Sequence, residues 1–299
     1  MKKVLKYRLF GVTGLAGLLL LTLAGCHKDD TQTTLRVKRA GYQPQQVEKT
    51  YIGTGLLDTV VSWYSTDQVN LYGIGTPCSL SNINEGYAEI NVGSASSPYY
   101  AVYPATNTVT TSGGTVSISP SQDYIVDVSG TQTINAPMAA KMTSSDGYLY
   151  FRNVASLLRI AVMNGNENGK YFDLNSISVT ADNGAILTGD QQFTFLGSDT
   201  KDYGLNNTTL SNGGNTVTLN VNCAAHNNSD VRINAGNMEV FNMVVLPYSS
   251  SKLSITVTGT LQDSTQKTYT IVQNTARSLS AGEVAVQFFA TSFDKYVRP

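Results

Sequence analysis

Histidine is nearly missing from this chain of 299 residues, with His27 and His226 the two present. That scarcity excludes a histidine-rich metal site. It leaves a serine–histidine–acid triad dependent on His226, which sits among Ala225, Asn227 and Asn228 in a loop-like run. No nucleophile motif of the recognised kinds accompanies it, and no carboxylate pair stands out at a fixed spacing. The chain is therefore expected not to be an enzyme: no catalytic residue, no metal site and no cofactor. Charge is scarce too, at 14% of residues against a usual figure of about 25%. The first 25 residues hold four of the 20 basic residues and none of the 21 acidic ones. Without them the chain carries 16 basic against 21 acidic residues, net −5. No basic patch survives that would hold a phosphate backbone, so nucleic acid is not an expected partner.

Cysteine is limited to Cys26, Cys78 and Cys223, with no metal-ligand spacing among them. Cys26 has its own context. A basic start (Lys2, Lys3, Lys6, Arg8) leads into an apolar run from Leu9 to Leu23, then Ala24-Gly25-Cys26. A charged n-region, a short h-region and small residues before the cut make a secretory signal. The run falls short of the roughly 20 apolar residues that span a bilayer. Cys26 directly after Ala-Gly resembles a bacterial lipobox, whose cysteine is acylated (palmitate is the expected lipid) and becomes the new N-terminus. The next residues, Lys28, Asp29 and Asp30, resemble the tag that sends Bacteroidota lipoproteins to the outer face of the outer membrane. Cys78 and Cys223 remain, either as a disulfide, which exported proteins can keep, or as two packed free thiols.

Helical periodicity is the other absence. Alternation of apolar and polar residues dominates instead: Gln68 to Ile74, Ala88 to Val92, Thr115 to Ser119, Asn175 to Thr180, Asn215 to Val221, Leu253 to Val257 and Glu283 to Phe289. Short strands at this spacing, punctuated by Gly and Asn, predict an all-β sandwich fold. Gly113-Gly114 and Asn183-Gly184 are expected at tight turns. Short helices are conceivable around Asn135 to Lys141 and Asn153 to Leu158. A polar cluster, Thr143 to Gly147, suggests a domain boundary. The expected organisation is a signal peptide (1–25), a lipidated tether with a short strand (26–42), and two β-sandwich domains (43–145 and 146–299).

Several blocks in order resemble the fimbrillin family, the pilin-like lipoproteins of type V fimbriae. They are Trp63 with Asp67-Gln68-Val69-Asn70-Leu71-Tyr72; Tyr99 to Ala105 with its Ala-Val-Tyr-Pro core; Ala136-Pro137-Met138; Leu149 to Ile160; Val244-Val245-Leu246-Pro247; and Leu279 to Val284. The resemblance spans roughly residues 50–290 and implies two tandem β-sandwich domains of transthyretin-like topology. The aromatic residues in these blocks, Trp63, Tyr100, Tyr103 and Phe151, are expected to be core and edge packing rather than a ligand platform, since aromatics bury large apolar areas. Alternation puts Tyr100 on the face opposite Tyr99 and Tyr103, against a continuous sugar-stacking platform.

The resemblance also implies an assembly mechanism. An arginine-specific protease removes an N-terminal strand, and a strand from a neighbouring subunit fills the groove, with main-chain bonds giving affinity and alternate side chains giving register. Here Thr33 to Val37, with Leu35 and Val37 alternating, is the candidate removable strand, and Lys38-Arg39-Ala40-Gly41 the candidate cut. Arg39 is the preferred position and Arg36 the second. The other reading of this basic stretch is a tether drawn to anionic lipid. The candidate donor segment is Phe288, Phe293, Tyr296 and Val297; Phe288 alternates with Val284 and Val286, but the last three are out of strict register, which suits a tip or accessory adhesin better than a stalk subunit. The expected partners are other fimbrial subunits, the outer membrane through Cys26, the protease, and a host or bacterial surface ligand. The expected location is the outer membrane surface and, after processing, the fimbrium. The alternative is a non-polymerising surface lipoprotein that binds glycans or host ligands.

Overall fold

Alternation in the sequence becomes half-buried strands in the structure. In Leu253–Leu261 every second residue from Leu253 is buried, while Ser254, Thr256, Thr258 and Thr260 stay half-exposed. The computed structural model describes residues 34–39, 51–52, 59–60, 63–84, 87–93, 98–127, 130, 132–143, 148–165, 169–182, 184–197, 204–209, 212–263, 266–273, 277–281 and 284–291. The signal, Cys26, Lys28, Asp29, Asp30, Phe293, Tyr296 and Val297 lie outside them.

The strands in chain order begin with β1 (Thr34–Arg39), β2 (Tyr51–Ile52), β3 (Thr59–Val60), β4 (Gln68–Leu71), β5 (Cys78–Asn84), β6 (Tyr87–Asn91) and β7 (Tyr99–Tyr103). Then come β8 (Thr108–Val109), β9 (Gly113–Ile118), β10 (Ser121–Asp123), β11 (Met138–Met142), β12 (Tyr148–Asn153) and β13 (Ser156–Asn164). The next six are β14 (Phe172–Ala181), β15 (Gly189–Leu196), β16 (Gly204–Thr209), β17 (Thr216–Asn220), β18 (Val231–Ile233) and β19 (Met238–Val245). The last are β20 (Tyr248–Ser250), β21 (Leu253–Leu261), β22 (Gln266–Gln273), β23 (Arg277–Leu279) and β24 (Val284–Thr291). The fold is all-β. Among the described residues the one helical element is a 3-10 turn, Ala224–His226.

Two main cores organise these strands. The first lies inside a closed barrel with the order β1-β12-β11-β7-β4-β5-β6. Its interior holds Trp63, Val69, Leu71, Ala88, Ile90, Leu149 and Phe151, among others. The second lies between a sheet ordered β10-β17-β14-β21-β22, with β18 beside β14, and a sheet ordered β19-β13-β24. Leu158, Ile160 and Val162 of β13 meet Ile177 and Val179 of β14 and Ile255 of β21 across that sandwich. Each such side chain contributes about 1.5–3 kcal/mol relative to staying in water. The sheet β16-β15-β9-β8 packs Phe193 and Val116 against Val102 and Ala139 on the outer face of the barrel.

The polar cluster expected to mark a boundary near residue 145 falls between β11 and β12. These two strands pair antiparallel, Met138 opposite Asn153 and Ala139 opposite Arg152. Strands from either side of that point therefore share the barrel, and β9 and β10 pair with β15 and β17.

Two local expectations need correction. The Asn135–Lys141 neighbourhood and Asn153–Leu158 hold strand rather than helix, in β11, β12 and β13. Met and Ala favour helices in isolation, yet every residue of β11 is buried, and packing on both faces overrides that preference. Gly113 and Gly114 lie inside β9 rather than in the β8–β9 turn. A Cβ on Gly114 would stand 2.0 Å from the Thr108 carbonyl oxygen, so this glycine allows close backbone approach.

Candidate functional site: a strand slot in the barrel

β1 closes the barrel and touches two partners. It runs antiparallel to β6, with Leu35 opposite Ile90, Arg36 opposite Glu89 and Val37 opposite Ala88. It runs parallel to β12, with Val37 opposite Leu149, Lys38 opposite Tyr150 and Arg39 opposite Phe151. The described strand continues two residues beyond the sequence expectation, through Arg39, and Thr33 lies outside the described residues. Arg36, Val37 and Lys38 are paired on both sides, and Arg39 is the last paired residue.

The walls of this slot alternate. Ala88 and Ile90 of β6 and Leu149 and Phe151 of β12 are buried in the barrel. Glu89, Tyr148 and Tyr150 between them are half-exposed on the outer face. Positions 35 and 37 of β1 thus hold register opposite inward-facing neighbours, and positions 36 and 38 opposite outward-facing ones. Opposed residues in a ladder share a face, so the slot demands an alternating strand.

Aromatic packing stiffens one end of the slot. Trp63 sits edge-on to Phe151, with ring centroids 5.4 Å apart, and to Tyr103 at 5.3 Å. Trp63, Tyr103 and Phe151 are all buried, as their expected core role requires. Tyr99 and Tyr103 face inward while Tyr100 is half-exposed on the other side, as alternation predicts. There Tyr100 meets Tyr72 and Phe195, with centroids 6.4 and 5.7 Å away.

Beside the barrel, a cleft of about 640 Å³ is bordered by Tyr64, Asp67, Gln68, Asp127 and Asn135. The Tyr103 hydroxyl donates to Asp67 Oδ1 at 2.9 Å, with the Asn135 carboxamide oxygen 2.8 Å from the same hydroxyl. The Tyr64 amide donates to Asp67 Oδ2 at 2.9 Å. Among the described residues no lysine or arginine borders this cleft.

The remaining sequence candidates are scattered. Phe288 lies in β24, whose backbone pairs parallel with β13, Phe288 opposite Ala161. Cys78 is a free thiol in the barrel core, where burial pushes its pKa up, and Cys223 is a free, half-exposed thiol whose Sγ is 3.8 Å from the Tyr124 carbonyl oxygen. His226 has Nδ1 2.8 Å from the Ser229 carbonyl oxygen and its ring against Tyr124. Among the described residues no group of three or more His, Cys, Asp or Glu side chains is placed to hold a metal ion.

No protein-family model and no curated protein matches the chain. It is similar to solved structures of candidate cell adhesion proteins from Bacteroides. For the Bacteroides ovatus protein the identity is 13% and the TM-score 0.42, over 79% of this chain and 87% of that one. For the Bacteroides uniformis protein they are 12% and 0.42, over 89% and 94%. For the Bacteroides fragilis protein they are 13% and 0.41, over 88% and 94%.

Proposed function

We propose that this chain is a fimbrial subunit, structural rather than catalytic, exported as a lipoprotein on Cys26 and assembled at the bacterial surface by strand exchange. The observation that carries the reading is the position of β1: an N-terminal, six-residue strand held between β6 and β12 and immediately followed by Ala40-Gly41. Removing it leaves a slot with unpaired main-chain groups on both walls and an apolar floor at Ala88, Ile90, Leu149 and Phe151. Unpaired strand edges of this kind take up another strand.

Arg39 is the better cleavage position. It ends the paired stretch, whereas Arg36 is bonded into the ladder on both sides, away from the extended, unpaired backbone that proteases need. The last described strand supports a tip or accessory role, since β24, which carries Phe288, is already engaged with β13 of its own chain.

The second reading is a non-polymerising surface lipoprotein that binds a glycan or host ligand. The cleft beside Asp67 favours it, because acceptor side chains beside a tyrosine ring, with no basic residue among the described ones bordering it, suit a neutral polyhydroxylated ligand.

Intact mass and N-terminal sequencing of the protein recovered from cell surfaces test the choice. A free N-terminus at Ala40, together with SDS-resistant polymers, is the expected result. An acylated Cys26 retained on monomeric protein overturns the strand-exchange reading and leaves the second one.

A further inference from the structure

The sheet β19-β13-β24 has one edge that the chain covers with side chains instead of a strand. β19 pairs with β13 along one side, Asn242 opposite Arg159 and Val244 opposite Leu157. On its other side, the Asn242 amide donates to Gln132 Oε1 at 2.8 Å, and Gln132 Nε2 donates to the Asn242 carbonyl oxygen at 2.8 Å. Two residues on, the Val244 amide donates to Gln122 Oε1 at 2.9 Å, and Gln122 Nε2 donates to the Val244 carbonyl oxygen at 2.6 Å. A carboxamide carries one acceptor and its donors in a plane, as a peptide group does. Two glutamines thus make the four bonds that a neighbouring strand would make at this edge.

Both carboxamides are themselves held in place. Gln122 belongs to β10, whose main chain pairs with β17. Gln132 Oε1 also accepts from Asn242 Nδ2 at 3.3 Å, and Asn242 Oδ1 accepts from Arg159 Nε at 3.1 Å. At the next outward position the Leu246 amide donates to the Leu187 carbonyl oxygen. A cavity of about 250 Å³ lies against this edge, bordered by Gln122, Gln132, Ile118, Ile134 and Val244.

We propose that Gln122 and Gln132 are edge guards, which close β19 to strand addition by a second copy of this chain. A second copy is the partner the guards exclude, because any extended strand presents the same alternating donors and acceptors and a polymerising surface protein meets its own copies at high local concentration. Natural sheets manage exposed edges by such coverings. This inference extends the strand-exchange reading by confining intermolecular pairing to other edges, but its test does not depend on that reading.

The test uses the full chain with β1 uncut, so exchange at the β1 slot cannot contribute. Gln122→Met and Gln132→Met are made together, since methionine keeps length and volume but lacks the amide. Self-association is followed by light scattering across a concentration series, and amide exchange is read at Asn242 and Val244. The unaltered chain is expected to stay monomeric. The double variant is expected to form dimers or larger species, with roughly fivefold or faster exchange at both amides when diluted, the loss expected from a bond of about 1 kcal/mol. A folded double variant that associates no more than the unaltered chain overturns the proposal. If the double variant does not melt cooperatively, each single variant is read in the same way, and monomers in both overturn it.

Discussion

Val37→Pro strikes β1 at a residue paired with Ala88 on one side and Leu149 on the other. Proline lacks the amide proton, so one ladder bond disappears, and its ring crowds the neighbouring strand. The lost bond is worth about 0.5–1.5 kcal/mol net, and the acceptor left unpaired on the facing strand costs about 1–3 kcal/mol more. The expected loss is therefore about 3 kcal/mol, a large share of the roughly 5–15 kcal/mol that holds a domain together. Trp63 reports it, being the one tryptophan of the chain, buried in the barrel and in ring contact with Phe151 at the end of the slot. Urea unfolding followed by its emission gives the difference directly. Adding a synthetic peptide of residues 33–39 should restore the parent stability, because a strand supplied in trans fills the slot. At a hundredfold excess over its Kd such a peptide returns about 2.7 kcal/mol. A loss below about 0.5 kcal/mol, the range of neutral surface changes, or equal rescue by a scrambled peptide, refutes the assignment of β1 as an exchangeable closing strand.

The turn after β14 supplies a pH-dependent prediction. Burial pushes the Asp182 carboxyl up, but bonds from the Ser250 and Ser251 hydroxyls and the Ser251 and Lys252 amides outweigh it and hold the group below the usual carboxylate range. The unfolded carboxyl titrates near about 3.9, so the stabilisation is present above that pH and is lost as pH falls through the lower folded value. Asp182→Asn is expected to lower the Tm at pH 7, with the gap to the parent closing in acid; a gap that persists unchanged at pH 2 would contradict the linkage. For the thiols, maleimide should modify half-exposed Cys223 first and reach the buried, up-shifted Cys78 on unfolding. An intact-mass time course checks the order, and a native disulfide between Cys78 and Cys223 would defeat it.

Local pattern carried much of the architecture. The alternation in Leu253 to Val257 and in Asn175 to Thr180 becomes β21 and β14, with the predicted faces buried. The same rule placed Tyr100 opposite Tyr99 and Tyr103. It weakened where burial on both faces erased the period, as in β11 and at the start of β13, Ser156 to Leu158, within a segment otherwise read as strand. There composition alone left a short helix open. The cluster at 143–147 was legible as an interruption, but the pairing of β11 with β12 was not, because turn residues do not say which flanking strands meet.

The candidate site divides in the same way. A strand near Thr33 to Val37 and an arginine after it were visible from alternation and charge. That this strand lies between β6 and β12, antiparallel to one and parallel to the other, was not. Gln122 and Gln132 carried no signal at all, being polar residues of ordinary kind until Val244 and Asn242, 122 and 110 positions away in the chain respectively, supply their partners.

By itself the sequence determined the strand character of the chain, the faces that turn inward, and the lipobox-like start. These depend on backbone periodicity and on residues within a few positions of one another. The tertiary structure decided which edges meet, which edge is capped by side chains, and that an N-terminal strand closes the barrel. Strand pairing depends on contacts between segments distant in sequence, and main-chain donors and acceptors are the same in every strand. Partner choice is therefore settled by packing of the whole, where the buried faces of β6 and β12 leave one place for β1.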